Sequence, residues 1–323
     1  MRLNYSQKIT VLMGRAVLLG LLLFTNMIAK SQQDPQFSQN KFNLLTVNPA
    51  CAGASGLINA ALLNRFQWIG FPGAPVTTGF NIDAAVGIIG KNDGIGVSIM
   101  NDVIGYERNI SVTLNYSWRK QIGSGKFATG FSMGLMNKNL KPGWLTADGS
   151  DLINSSDPAV PDKETDGILA DMGVGFDYEG KDFYLALSAK HINQPSFSYE
   201  QNGTYSIRRH YYFMGGYNIQ LTNQFQMNPS VFIKTDASAY QTDFNLTLLY
   251  EQRLWGGLGY RPGDAVIIQL GTELRNGIRF GYAYDLSTSA LSKYNSGSHE
   301  IYLSYSFSLD KRKTHKYKSI RFL

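Results

Sequence analysis

The stretch NISVTLNYSW, residues 109–118, changes character at every step. Ile110, Val112, Leu114, Tyr116 and Trp118 share one face, and Asn109, Ser111, Thr113, Asn115 and Ser117 share the other. A period of two held over this length is a β-strand with one apolar and one polar side. The same alternation governs KFATGFSMGLM, where Phe127, Phe131, Met133 and Leu135 oppose Ala128, Gly130, Ser132 and Gly134. It governs RFGYAYD, where Phe280, Tyr282 and Tyr284 oppose Arg279, Gly281, Ala283 and Asp285. It closes with Ile301, Leu303, Tyr305, Phe307 and Leu309 against Tyr302, Ser304, Ser306 and Ser308.

About fourteen such segments follow one another, near residues 57–68, 76–87, 94–101, 109–119, 126–137, 168–178, 182–191, 206–219, 224–235, 242–251, 254–261, 265–275, 278–286 and 298–309. An even number of roughly ten-residue alternating strands predicts an all-β chain, a transmembrane antiparallel up-and-down β-barrel of about 14 strands. Closure pairs every backbone donor across the wall and leaves no sheet edge in lipid. The apolar faces then look at lipid and the polar faces at the lumen.

A soluble β-sandwich is the competing reading of the alternation, and the connections speak against it. If the first strand runs outward, the inner turns are short: KND, IGSGK, EGKD, LTNQ, EQR and RNG. The outer loops include residues 138–167, 192–205 and 286–297, and only YRPGDA is brief on that side. Outer-membrane barrels sort their connections in this way.

Composition fits an exported membrane barrel. Aromatic residues make up 13% of the chain and glycine contributes 33 residues. Beyond residue 31 no apolar run approaches the about 20 residues that a spanning helix needs, which excludes a helical membrane protein. The first residues, MRLNYSQKITVLMGRAVLLGLLLFTNMIAKS, place Arg2, Lys8 and Arg15 before the apolar run 16–24 and end in Ala29-Lys30-Ser31. This is the pattern of a secretory leader cut before Gln32. The formal net charge is +6, but removing the leader's four bases leaves 26 basic against 24 acidic side chains, or +2. A nearly balanced exported chain gives no support to nucleic-acid binding. The lone Cys51 rules out an internal disulfide framework and lies too far past the leader to accept a lipid. It reads as a small packed residue.

Few residues invite chemistry. Gly130-Phe131-Ser132-Met133-Gly134 matches G-x-S-x-G, but that motif needs a strand, a tight turn and a helix, whereas here it lies inside an alternating strand. A wall serine acts as a nucleophile only if His191, His210 or His299 reaches it as a base. Histidine spacing gives no support to a metal site, and no cofactor is implied. The loop TADGSDLINSSDPAVPDKETDG offers Asp148, Asp151, Asp157, Asp162, Glu164 and Asp166, but not in the order of a calcium loop. Arg279 and Asp285, both on the polar face, are candidates for a lumenal ion-pair network. Asp34-Pro35 has the form of a helix start, Asp as cap and Pro at the first position.

The end of the chain gathers Lys311, Arg312, Lys313, His315, Lys316, Lys318 and Arg321, then adds Ile320, Phe322 and Leu323. A solvated basic end touching anionic head groups is one reading. Apolar side chains after the charges favour a docking tail.

Taken together, these stretches resemble the PorP/SprF family of outer-membrane proteins of the type IX secretion and gliding-motility machinery. The resemblance runs through QDPQFSQNKF, VNPACAG, NRFQWIGFPGAPVTT, GIGVSIMNDVIG, FYLALSAKHIN, YRPGDA, FGYAYDLS, GSHEIYLSYSF and the closing RFL. Arg65, Gln67 and Trp68 match the family's R-x-Q-W. Asn48, Pro49 and Ala50 open its N-P-A-x-A-G, with Cys51 where an aromatic is common. Tyr260, Arg261, Gly263 and Asp264 lie in YRPGDA.

The resemblance implies a non-enzymatic barrel with no catalytic, cofactor or metal residues. It implies as partners outer-membrane lipid, periplasmic ring, lipoprotein or peptidoglycan-binding components, or a secreted adhesin with a type B C-terminal signal. The expected organisation is a leader at 1–31, a periplasmic or plug-like segment at 32–55, a barrel at 56–309 and a basic periplasmic tail at 310–323, with both termini periplasmic. An outer-membrane channel for small or hydrophobic solutes is the alternative from a different class.

Overall fold

A computed structural model describes residues 34–88, 93–141, 164–199 and 203–308. The leader at 1–31 and the basic tail at 310–323, with Lys311, Arg312, Lys313, Lys316, Lys318, Arg321, Phe322 and Leu323, lie outside the described residues. So does most of the acidic loop. Within it, Glu164 accepts from Asn139 at 2.8 Å and pairs with Lys141 at 3.3 Å.

The strands run in chain order. The first seven are β1 (Ile58–Phe66), β2 (Val76–Val86), β3 (Asp93–Ile104), β4 (Glu107–Ile122), β5 (Gly125–Leu140), β6 (Thr165–Glu179) and β7 (Phe183–Lys190). A small hairpin of β8 (Ser196–Tyr199) and β9 (Gly203–Ser206) pairs only with itself among the described residues. Then come β10 (His210–Tyr217), the two-residue β11 (Ile219–Gln220), β12 (Phe225–Thr235), β13 (Tyr240–Tyr250) and β14 (Leu254–Arg261). The last are β15 (Ala265–Glu273), β16 (Ile278–Ser287) and β17 (Ser298–Phe307).

Each strand from β1 to β7 pairs antiparallel with its chain neighbour, β7 pairs with β10, β10 with β12, and β12 through β17 continue in order. β17 then returns to β1, from Ile58 opposite Phe307 to Phe66 opposite His299. The result is a closed antiparallel barrel of fourteen strands with β11 added beside β12, as the alternation predicts.

The faces are inverted relative to a water-soluble protein. Leu114, Leu135, Leu258 and Leu270 stand about 60% exposed on the outside, while Ser117, Arg261, Glu300 and Arg279 are 0–1% exposed within. This is the expected arrangement for a wall whose outer solvent is hydrocarbon.

Connections are sorted less cleanly than the sequence suggests. At the end where β1 finishes, three turns are short: Gly105 with Tyr106, residues 236–239 and residues 262–264. Gly105 carries a φ of +56°, a left-handed conformation that a two-residue hairpin turn demands and glycine adopts at little cost. Longer connections at that end include 67–75, 191–209 and 288–297.

Candidate functional site

The lumen is occupied by the chain's own segment 34–57, whose residues 36–45 and 48–52 are almost all buried. Three short turns compact it: Asn40–Phe42, Leu44–Val47 and Pro49–Cys51. Asn48 caps the last one by accepting from the Ala50 amide at 2.9 Å, with Pro49 in the first position. No helix starts at Asp34-Pro35; Asp34 instead bonds to the wall. Phe37 and Phe42 pack with Leu63, Met100, Leu249, Trp255 and Tyr302 of the wall, and the polar residues around them, Gln36 and Ser38 to Lys41, are stable here because the lumenal wall supplies hydrogen-bond partners.

The segment does not rest at one mouth. Ala50 to Gly53 stand near the start of β1, and Asp34 stands near the opposite end, beside the end of β7 and the start of β10. β17 finishes at the same end as β1 starts. The described residues therefore begin and end at opposite ends of the barrel.

Three anchors hold the segment. The first is the N-P-A-x-A-G stretch. Asn48 donates to the carbonyls of Phe176 (3.0 Å) and Leu187 (3.4 Å). Arg119 donates to the carbonyls of Ala50 (2.9 Å) and Ala52 (3.1 Å), Ser117 donates to that of Ala52 (2.7 Å), and Asp83 accepts from the Gly53 amide (2.8 Å). The backbone approaches the wall so closely that a Cβ on Gly130 would overlap Ala50, and one on Gly94 would overlap Ala52. Cys51 packs among Leu44, Tyr184, Ala186, Tyr212, Met214 and Phe232, the small packed residue that its isolation implies.

The second anchor is a buried ionic network. Arg65 reaches Asp285 (2.7 Å) and Glu300 (3.1 Å); Arg261 reaches Asp243 (2.8 Å), Asp264 (3.1 Å) and Asp285 (3.1 Å). The segment enters this network directly. Glu300 accepts from the amides of Ser38 and Gln39, both at 2.7 Å, and the Ser38 hydroxyl donates to Asp285 at 2.6 Å. Arg279 and Asp285 both face the lumen, but they serve different pairs: Arg279 binds Glu273 at 2.8 Å, and Asp285 holds Arg65 and Arg261.

The third anchor is Asp34. One carboxylate oxygen lies 3.0 Å from His191 Nε2, and Tyr212 donates its hydroxyl to the other. Lys190 lies 3.7 Å from that second oxygen, and Lys234 donates to the Asp34 carbonyl at 3.0 Å. His191 Nδ1 meets Asp171 at 2.8 Å. Burial acts to lower the His191 pKa, but Asp34 and Asp171 outweigh it and raise it to about 9.

Two small cavities adjoin the segment among the described residues. A cavity of about 30 Å³ is lined by residues that include Asp34, Met100 and Lys138, and another of about 10 Å³ lies near Phe37 and Lys234. They have room for about two waters and about one.

The family-motif residues divide by role. Arg65 and Arg261 are central to the network, and Asp264 returns to Arg261 from the turn that follows it. Gly263 supplies that turn's φ of +75°. Tyr260 faces outward, half exposed. Gln67 and Trp68 sit in the hairpin beyond β1, where the Gln67 amide donates to Pro75 and the Trp68 amide donates to Ser298 Oγ.

Ser132 lies mid-strand in β5, which continues to Leu140 without the turn that a nucleophile elbow requires. The histidines bond elsewhere: His191 to Asp34 and Asp171, His210 to the Arg208 carbonyl, and His299 to Tyr282. Sequence reading gave Asp34 only a helix-capping role and missed Asp243 and Glu300, because nothing local distinguishes an acid that anchors a distant segment.

The fold and its filled lumen define an outer-membrane β-barrel. A family model described as "Type IX secretion system membrane protein PorP/SprF" matches residues 29–305, and the chain belongs to that family. No curated protein matches it. Among solved structures, the Ralstonia pickettii toluene transporter TbuX is similar with a TM-score of 0.50 at 10% identity, over 82% of this chain and 92% of that one. The Pseudomonas putida toluene transporter TodX gives 0.48 at 9% identity over 85% and 95%. The KdgM porin gives 0.39 at 10% identity over 77% and 99%. At such identities the likeness concerns the fold alone.

Proposed function

We propose that this barrel is a non-enzymatic scaffold of the type IX secretion machinery, supporting protein secretion, surface attachment of a secreted adhesin in gliding motility, or both. The observation that carries this reading is the lumen. It is filled by segment 34–57, which is bonded to strands around the circumference, and two cavities beside it have room for only about one or two waters. Such a body offers its two ends and its rim to partners and has little interior to offer a solute.

In this reading residues 1–31 direct export and are removed, and the end of β17 faces the periplasm. The tail 310–323 binds ring, lipoprotein or peptidoglycan-binding components. The loops at the other end, 67–75, 191–209 and 288–297 among them, face an adhesin carrying a type B C-terminal signal. The test compares what co-purifies with full-length protein and with protein truncated after Leu309, from detergent-solubilised outer membranes, by mass spectrometry. Loss of periplasmic components with the tail supports the scaffold. Unchanged partners and unchanged secretion would overturn the role given to the tail.

The channel reading draws on one observation, a fold shared with TbuX at a TM-score of 0.50. Solute-dependent uptake by reconstituted full-length protein, without a secretion defect on deletion, would favour it.

A further inference from the structure

Asp34, His191 and His210 bring one potential ligand atom each to within 4.8 Å of one another, and all three residues are buried. They come from three places in the chain: the lumenal segment, the residue after β7 and the first residue of β10. The two imidazoles stand edge to face, ring centres 5.8 Å apart and planes at 86°.

Each ring is held from behind. His191 Nδ1 is bonded to the Asp171 carboxylate at 2.8 Å, and His210 Nδ1 lies 3.1 Å from the Arg208 carbonyl. A carbonyl only accepts, so His210 Nδ1 carries the proton and its Nε2 presents a lone pair. That Nε2 is fully buried and has no hydrogen-bond partner, and His210 itself is 0% exposed. A buried acceptor left unpaired keeps its full desolvation cost, so such an atom calls for a missing partner. An outer acceptor on one ring nitrogen that aims the other inward is the usual support of a metal-binding histidine.

We propose that Asp34 Oδ1, His191 Nε2 and His210 Nε2 bind a divalent transition-metal ion, of which zinc suits the donor set best. Two imidazoles and a carboxylate match zinc's ligand preferences, with water completing a tetrahedron. Bonds of about 2.0–2.2 Å set donor atoms about 3.4 Å apart, so donors at most 4.8 Å apart close by little more than about 1 Å, while His191 Nε2 and Asp34 Oδ1, 3.0 Å apart, open slightly. The ion replaces the proton between His191 Nε2 and Asp34, and that proton leaves to solvent. Tyr212 and Lys190 both lie at the second Asp34 oxygen, and Lys234 binds the Asp34 carbonyl, so Oδ1 remains directed at His191.

The site would clamp the start of the lumenal segment to both ends of connection 191–209. This goes beyond the scaffold reading and does not depend on it.

The experiment uses full-length protein purified in detergent without a histidine tag, stripped with a chelator, then titrated with zinc ion and with cobalt(II) as a spectroscopic substitute. Folding is read independently from the heat-dependent mobility of the barrel. Wild type is expected to bind about one equivalent, with tetrahedral cobalt absorption, and His210→Gln to bind at least about tenfold more weakly. Asp34→Asn lies outside the barrel wall and serves if His210→Gln does not fold; it too is expected to weaken binding. Folded wild type that takes up no stoichiometric metal would overturn the site, as would folded variants that bind like wild type.

Discussion

Glu300 is 0% exposed, yet it holds three donors: the Ser38 amide and Arg65 on one oxygen and the Gln39 amide on the other. Both carboxylate oxygens are therefore needed. Glu300→Ala orphans two buried amides and weakens the hold on Arg65, a loss of about 3–5 kcal/mol. Glu300→Gln keeps the shape but only one acceptor oxygen, so its loss is smaller. Urea unfolding of the refolded barrel, followed by tryptophan fluorescence, is expected to rank wild type above Gln and Gln above Ala. Ser132 has no such burden. Ser132→Ala is expected to leave both stability and lipid turnover unchanged, and a fall in lipid turnover would mean that Ser132 acts as the nucleophile of G-x-S-x-G.

At the scale of elements, the lumenal segment and the wall are fitted to each other by what is absent from β3 and β5. Gly94 and Gly130 have no side chain where Ala52 and Ala50 press against the wall. Gly130→Val leaves β5 able to pair with its neighbours but displaces residues 48–53 from their seat. Limited proteolysis is expected to cut within 34–57 in this variant and not in wild type. Gly79→Ala is the control, since a Cβ there meets nothing within 4 Å, and it is expected to resist like wild type.

For the whole molecule, the wall and its filling are separable. The wall closes through strand pairs that run unbroken from β1 to β17 and back, without help from segment 34–57. Removing residues 34–53 is expected to leave a barrel with heat-dependent mobility but an aqueous lumen lined by Arg65, Arg261, Arg279 and their acids. Planar-bilayer recording is expected to give stepwise openings for the deletion and a quiet baseline for the full chain. Equal conductance from both would mean that the segment does not close the pore.

What the residues alone determine is the wall. Strand periodicity is a local property: the alternation in 109–118 needs only its own ten residues and the knowledge that one side meets lipid, and β4 indeed covers Glu107–Ile122. The polar face of RFGYAYD and the inward Ser132 follow from the same parity. The anchors are different in kind. Asp34 meets His191 across 157 positions, and Ser38 meets Glu300 across 262, so no window of sequence contains either interaction. Only the closed barrel decides which lumenal groups share a height, and only the threading of segment 34–57 decides which of them it bonds. Buried charges are tolerated solely when partnered, and partners so distant in the chain are chosen by topology.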